Sequence, residues 1–118
     1  MRVLVIVNDP PYGTERMYNG LRLATTLAGR EEAKGSVTVF LMADAVTGAK
    51  RGQKTPDGFY NVERMLKRFL AAGGTVLLCG TCMDARGLAP DDMMEGVRRS
   101  SMDELAAETV SADRTLVF

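Results

Sequence analysis

Two cysteines, Cys79 and Cys82, are the residues of this 118-residue chain best suited to chemistry. They lie three positions apart, directly after the apolar run 75–78, where a buried strand is predicted to give way to a helix. A sulfur atom at that junction can face free amides at the helix start, which stabilise the thiolate and lower the thiol pKa. Such a thiolate can attack a sulfane sulfur and hold it as a persulfide, or join its neighbour in a disulfide.

Four more residues are predicted to line the site. Thr81 lies between the two cysteines, and Arg86 follows closely enough to add positive charge if its side chain turns inward. Tyr12 and Gly13 belong to the rigid turn 10–14 that leads into a helix start, where amides together with Tyr12 could hold an anion or a sulfur-bearing ligand. The same turn could equally serve only to stop a strand and cap a helix.

The alternative for the cysteines is that both are packing residues, because buried free cysteine is common. A cytosolic Cys-x-x-Cys at a strand end favours functional thiols, since that spacing is typical of redox or metal pairs. A thioredoxin motif is not indicated. The pair follows the third predicted strand rather than the first, and Pro90 is poorly placed to serve as the cis-proline of that motif.

Composition excludes several classes of function. The 15 basic and 15 acidic residues cancel, so no long-range field favours nucleic acid or an anionic membrane. Histidine is absent, which removes Ser-His-Asp and Cys-His catalysis and the commonest zinc ligand. Two cysteines cannot complete a structural zinc site without recruited carboxylates, so we expect no metal and no other cofactor. No apolar run approaches the length of a membrane span or a signal sequence, so we expect a soluble, cytoplasmic protein.

The remaining sequence predicts alternating strands and helices. Apolar runs predict strands at 3–7, 37–42, 75–78 and 115–118. Helices are predicted after Thr14, after Asn61, and after the capping box that Ser101 and Glu104 form. This alternation predicts an α/β fold with an open, mostly parallel sheet covered by helices on both faces.

Other segments carry weaker signals. The stretch 43–59 lacks periodicity and predicts a long loop of the functional or mobile kind. A short helix is predicted from Asp91 or Asp92 through Val97, with Met93 and Met94 packing a helix or a subunit contact. The pair Arg98-Arg99 is predicted to lie at the surface, and so is the basic group Lys50, Arg51 and Lys54.

The whole chain resembles the DsrE/DsrF-like family, in particular its small YchN-type members. Seven segments carry the resemblance: Pro11–Gly13, Asn19–Ala24, Phe40–Val46, Arg51–Lys54, Gly58–Asn61, Cys79–Gly87 and Ser111–Phe118. The resemblance implies one DsrEFH-like domain over 1–118, a three-layer α/β/α unit with a five-stranded sheet. It also implies self-assembly into a trimer or a hexamer of stacked trimers.

The same resemblance implies sulfur relay, in which relatives pass sulfur as a cysteine persulfide. In the D-type relay subunit the carrier cysteine lies eight residues before the glycine of an Arg-Gly pair. Cys79 stands at that distance from Gly87, so the carrier role transfers to Cys79. Cys82 matches YchN-type chains and could be a resolving thiol, a second carrier or a bystander. Sulfur donor and acceptor proteins would be the partners, and whether transfer is catalytic stays open.

Two other hypotheses remain for the function. The protein could be a dithiol redox or sensor module that uses Cys79 and Cys82, or a non-enzymatic oligomeric scaffold in which both thiols are inert. Thiol reactivity separates these cases, because only a thiolate near neutral pH is a good nucleophile.

Overall fold

The computed structural model describes residues 1–118, and its centre is a sheet of five parallel strands. The strands are β1 (Val3–Val7), β2 (Val37–Leu41), β3 (Thr75–Cys79), β4 (Arg98–Ser100) and β5 (Arg114–Val117). Their spatial order is β4-β3-β2-β1-β5, and every pairing is parallel. The three central strands are almost entirely buried, which is why their sequences are continuous runs of apolar residues.

Four α-helices connect the strands: α1 (Arg16–Ala28), α2 (Val62–Ala71), α3 (Gly80–Ala85) and α4 (Met102–Ser111). Asn61 caps α2 by accepting a hydrogen bond from the Arg64 amide at 3.1 Å, and Ser101 caps α4 in the same way through the Glu104 amide at 3.2 Å. Both N-caps confirm the sequence predictions, but the predicted capping box is only half formed, because the Glu104 carboxylate accepts from Ser100 and Arg98 instead of from the Ser101 amide. None of the helices has the length and apolar character that a membrane span requires.

The predicted loop 43–59 was wrong for its first seven residues. Ala43–Ala49 forms a 3₁₀ helix, and four of its residues, Ala45, Val46, Gly48 and Ala49, are buried against the sheet and α2. Small side chains allow this close approach: a Cβ on Gly48 would come within 2.8 Å of the sulfur of Met17. Tertiary packing, and not a local apolar period, therefore holds this segment in place.

The predicted short helix near 91–97 was also wrong. Only Pro90–Asp92 turns as a 3₁₀ helix, and the chain then extends. The Met94 amide donates to the Ala49 carbonyl at 2.8 Å, and the Arg51 guanidinium donates to the Met93 carbonyl. These long-range bonds take the backbone groups that a helix would have used. Both methionines are buried, so they belong to the hydrophobic core although their segment is extended.

The edge strand β4 is the element that the sequence pattern missed. Its residues Arg98 and Arg99 are exposed, as predicted, but their backbone pairs with Leu77 and Leu78 of β3. Ser100 pairs with Cys79, so this edge strand ends beside the first cysteine. The strand therefore brings its side chains to the edge of the sheet where ligands gather in open α/β folds.

Candidate thiol site

Cys79 is the last residue of β3 and the N-cap of α3. Its backbone is extended, with φ −60° and ψ 115°, and the chain turns directly into the helix at Gly80. The Cys79 sulfur accepts a hydrogen bond from the Cys82 amide at 3.4 Å, as a side-chain oxygen would at an ordinary N-cap. The Cys-x-x-Cys spacing thus places the second cysteine's own amide on the first cysteine's sulfur.

Cys79 is 5% exposed and lines a pocket of about 270 Å³. Residues of β4 and the start of α4 form part of the pocket, whose other walls belong to β2 and to the start of α3: Phe40, Gly80, Thr81, Arg99, Ser100, Ser101 and Met102. Thr81, one of the predicted site residues, lies in this wall, with its hydroxyl 3.4 Å from the Cys79 sulfur. A small molecule or an extended side chain that entered this pocket would reach Cys79.

The pKa of the Cys79 thiol is lowered from its usual value. Burial pushes the pKa up, but hydrogen bonds from the Cys82 and Thr81 side chains and from their backbone amides outweigh it. Each of these bonds points toward the sulfur as acceptor, so each stabilises the thiolate over the thiol. Cys79 is therefore the more readily ionised sulfur of the pair.

Cys82 is half-buried and has the opposite character. Burial raises its pKa, and its hydrogen bond with Cys79 raises it further because a thiol must keep its proton to donate. The Ala43 amide, which donates to the Cys82 sulfur at 3.2 Å, acts in the other direction. Ala43 has φ +51°, a left-handed conformation that non-glycine residues rarely adopt.

Arg86, another predicted site residue, turns inward toward Cys82. Its guanidinium donates to the Cys82 carbonyl at 3.0 Å and to the Asp44 carboxylate at 2.7 and 2.9 Å. The charge of Arg86 lowers the pKa of the Cys82 thiol, although it is the smallest of the contributions to that pKa. The predicted positive charge is therefore beside the second cysteine and is shared with Asp44.

The structure adds Arg99, which the sequence indicated only as a surface residue. Its guanidinium forms two hydrogen bonds with Asp84, at 2.8 and 3.0 Å, and it lines the Cys79 pocket. Period-two alternation would have placed Arg98 and Arg99 on opposite faces, but only if the three-residue strand had been recognised. Three residues are too few for that pattern to be visible.

Tyr12 and Gly13 lie in the turn between β1 and α1, and the Tyr12 side chain reaches the start of α2. The Tyr12 hydroxyl donates to Gln53 and accepts from the Val62 amide at 3.1 Å, and its ring stacks on Tyr60 with centroids 5.9 Å apart. Gly13 provides the turn with φ +101°. Neither residue forms a hydrogen bond with a cysteine, and their predicted contact with a ligand stays a prediction.

The comparisons with known proteins agree on one family. A sequence model of the DsrE/DsrF-like family matches residues 1–118. The chain belongs to this family. Protein YchN of Escherichia coli K12 is 41% identical over 117 residues, which cover 99% of this chain and 98% of YchN. The uncharacterized protein MJ0989 of Methanocaldococcus jannaschii is 37% identical over 120 residues, the full length of both chains.

Solved structures give the same result for the fold. The crystal structure of the Escherichia coli ychN protein superposes with a TM-score of 0.90 at 40% identity, covering 100% of this chain and 99% of that one. A protein of unknown function, MTH1491 of Methanobacterium thermoautotrophicum, superposes with a TM-score of 0.69 at 16% identity over the whole of both chains. The DsrE/DsrF-like fold is thus shown, while the chemistry must be argued from the thiol site itself.

Proposed function

We propose that this DsrE/DsrF-like protein is a sulfur-relay protein that carries sulfane sulfur as a persulfide on Cys79. The observation that carries the proposal is the arrangement around the Cys79 sulfur, which accepts a hydrogen bond from the Cys82 amide, lies 3.4 Å from the Thr81 hydroxyl and lines a pocket. A lowered pKa increases the thiolate fraction at neutral pH, and the thiolate is the nucleophile. Membership of a family associated with sulfur relay supports the same function.

The loading step needs only a donor that bears a sulfane sulfur. The Cys79 thiolate attacks the outer sulfur of a donor persulfide, R–S–S⁻, and a new S–S bond forms as the donor's S–S bond breaks. The products are the Cys79 persulfide anion and the donor thiolate R–S⁻, so no external oxidant or reductant is used. The pocket beside Cys79 gives the donor its access.

Unloading can follow two routes. An acceptor thiolate can attack the outer sulfur and leave Cys79 as the thiolate. Alternatively, Cys82 passes its proton to the outer sulfur and its thiolate attacks the Cys79 sulfur. A Cys79–Cys82 disulfide then forms as the outer S–S bond breaks and hydrosulfide leaves, and a dithiol reductant would reset the pair. The raised pKa of Cys82 keeps that thiol protonated and slows the second route at neutral pH.

Intact-protein mass spectrometry after incubation with glutathione persulfide tests the proposal. Wild type and Cys82→Ser should each gain one sulfur atom, while Cys79→Ser should gain none. Peptide mapping should place the added sulfur on Cys79. No sulfur gain by wild type, with Cys79 still open to alkylation, would count decisively against the proposal.

A dithiol redox or sensor module is the second candidate, and the hydrogen bond from the Cys82 amide to the Cys79 sulfur favours it because it holds the two cysteines close together at the helix start. It predicts a reversible Cys79–Cys82 disulfide at cytosolic redox potentials and no persulfide uptake. Titration against glutathione buffers measures the disulfide directly. A third possibility, an inert scaffold, predicts slow alkylation of both thiols at neutral pH.

We also propose that the chain self-associates as a trimer or hexamer in the cytoplasm and exchanges sulfur with donor and acceptor proteins. Hydrophobic residues remain exposed outside the core, among them Phe59, Met102, Val110 and Val117. Sedimentation equilibrium measures the assembly. A monomer at micromolar concentration would rule this part out.

A further inference from the structure

Arg99 has no part in the persulfide loading step, yet contacts with β4, Asp84 and Gly80 define its position beside Cys79. Its neighbour in sequence, Ser100, pairs with Cys79 in the β3–β4 register, so the arginine enters the pocket from the edge strand. Asp84 holds the guanidinium with two hydrogen bonds of 2.8 and 3.0 Å. A bidentate pair of this kind fixes the plane of the guanidinium as well as its place.

Gly80 supplies the space that the guanidinium occupies. A Cβ built on Gly80 would lie 2.8 Å from both the Cζ and the Nε of Arg99. Gly80 is the residue directly after Cys79, so the guanidinium rests on the backbone at the very start of α3. The charge is thereby held over the turn that carries the Cys79 sulfur.

We propose that Arg99, seated on Gly80 and oriented by Asp84, stabilises negative charge on the Cys79 sulfur and makes the pocket selective for anionic sulfur species. Coulomb attraction between Arg99 and an ionised Cys79 follows from this placement. The pKa of Arg99 is raised chiefly by its hydrogen bond with Asp84, and the charge of Cys79 adds a smaller contribution in the same direction. The part that concerns the persulfide rests on the proposed function, because the outer sulfur of a loaded Cys79 would be the anion in the pocket. The part that concerns the thiolate does not depend on it.

The other charged groups near Cys79 cannot supply this charge. Arg98 points away and pairs with Glu104 at 2.9 Å, and Arg86 pairs with Asp44 beside the second cysteine. The groups that face or flank Cys79 from the packed elements are Cys82 and Asp84 on α3, Arg86 with Asp44 beside Cys82, Arg99 and Arg98 on β4, and Glu104 on α4. Among them Arg99 is the one cation that shares the pocket with Cys79.

The pH dependence of Cys79 alkylation tests the charge. In a Cys82→Ser background, which isolates one thiol, we expect Arg99→Gln to move the profile to higher pH and to slow alkylation at pH 7 by roughly threefold or more. Arg99→Lys should restore part of the loss, because it keeps the charge and loses the bidentate geometry. Arg98→Gln is the matched control, one residue away with its own carboxylate partner, and should leave the profile in place.

Gly80→Ala tests the position of the Arg99 guanidinium against Gly80 without removing a charge. The new methyl group would displace the guanidinium, and alanine at the start of α3 favours the helix, so folding should be preserved. We expect the alkylation profile to move in the same direction as for Arg99→Gln, by a smaller amount. The difference between the alkylation profiles of the proteins with and without Arg99→Gln should become smaller as the salt concentration is raised, because Arg99 is partly exposed to solvent.

The outcomes separate the two proposals. If Arg99→Gln leaves the alkylation profile unchanged, or if Arg98→Gln moves it as far, the inference is overturned whatever happens with sulfur. If wild type gains no sulfur while the Arg99 variants move the profile, the persulfide proposal fails and the thiolate role of Arg99 stands. If the Cys79 persulfide forms in wild type and has the same lifetime in Arg99→Gln when an acceptor thiol is present, the proposal that Arg99 makes the pocket selective for anionic sulfur is wrong.

Discussion

The two cysteines lie within one helical turn of each other, yet the structure surrounds them with different chemistry. The Cys79 sulfur accepts a hydrogen bond from the Cys82 amide, lies 3.4 Å from the Thr81 hydroxyl and forms part of the wall of a pocket. The Cys82 sulfur accepts a hydrogen bond from the backbone amide of Ala43, which comes from a distant part of the sequence. One thiol is thus prepared as a nucleophile and the other as its hydrogen-bond donor.

Each cysteine region also contains an arginine paired with an aspartate. On the Cys79 side Arg99 binds Asp84, and on the Cys82 side Arg86 binds Asp44. The difference lies in what else each arginine contacts. The guanidinium nitrogen of Arg86 that does not bind Asp44 donates to the Cys82 carbonyl. The guanidinium of Arg99 instead packs against Gly80 and lines the Cys79 pocket. The same residue pair therefore has a bracing role in one region and, as proposed, an electrostatic role in the other.

The Cys82 region contains a strained backbone at Ala43. We expect the largest effect of any substitution in either cysteine region at this position. Proline at position 43 removes the amide that donates to Cys82 and cannot adopt φ +51°, so we expect a loss of roughly 3 kcal/mol in the free energy of unfolding. Glycine keeps the amide and relieves the strain, and should stabilise by roughly 1 kcal/mol. Urea denaturation of both variants measures the two effects. A destabilised Ala43→Gly would mean that the left-handed backbone is not strained in solution.

The comparison also shows how far sequence reasoning reaches. The central strands, the caps at Asn61 and Ser101, and the position of Cys79 at a strand-to-helix junction were predictable because each depends on a local pattern of apolar or capping residues. These features also fix the end of the sheet at which the thiols lie. The family resemblance, confirmed over the whole chain, agreed with them.

The partners of each sulfur were not predictable in the same way. Ala43 reaches Cys82 across 39 positions of sequence from a 3₁₀ helix that has no apolar period, and the interpretation of that segment as a loop hid the contact. Arg99 arrives on a strand of three residues, too short to show alternation. In both cases long-range packing decides the contact, and a local pattern carries no information about it.

Removing either sulfur should change the pKa of the other in opposite directions. Cys82→Ala deletes a hydrogen bond that lowers the pKa of Cys79, so that pKa should rise and alkylation of Cys79 at pH 7 should slow by roughly three- to tenfold. Cys79→Ala deletes the bond and the charge that raise the pKa of Cys82, so Cys82 should react faster. Stopped-flow alkylation of the two single-thiol proteins from pH 5 to 10, a range set by ordinary thiol pKa values, measures both. Shifts of the same sign would contradict the assignment of Cys82 as donor.

Arg86→Gln has the smallest expected effect, and it tests most directly whether each of the two arginine–aspartate pairs acts on one thiol only. Arg86→Gln removes a cation that lowers the pKa of Cys82, so the pKa of Cys82 should rise slightly and its alkylation at pH 7 should slow by roughly threefold or less. The reactivity of Cys79 should stay as in wild type, because the Arg86 guanidinium forms its hydrogen bonds with the Cys82 carbonyl and Asp44 and does not line the Cys79 pocket.

Measured beside Arg99→Gln, this variant completes a double comparison in which each arginine affects its own sulfur. Equal effects of both substitutions on Cys79 would show a general electrostatic field, and the division into two regions would be wrong. Separate effects would mean that the fold gives neighbouring thiols independent electrostatic control by placing one cation, Arg99, on the edge strand β4 and the other, Arg86, directly after α3. That separation lets Cys79 ionise while Cys82 keeps the proton it donates.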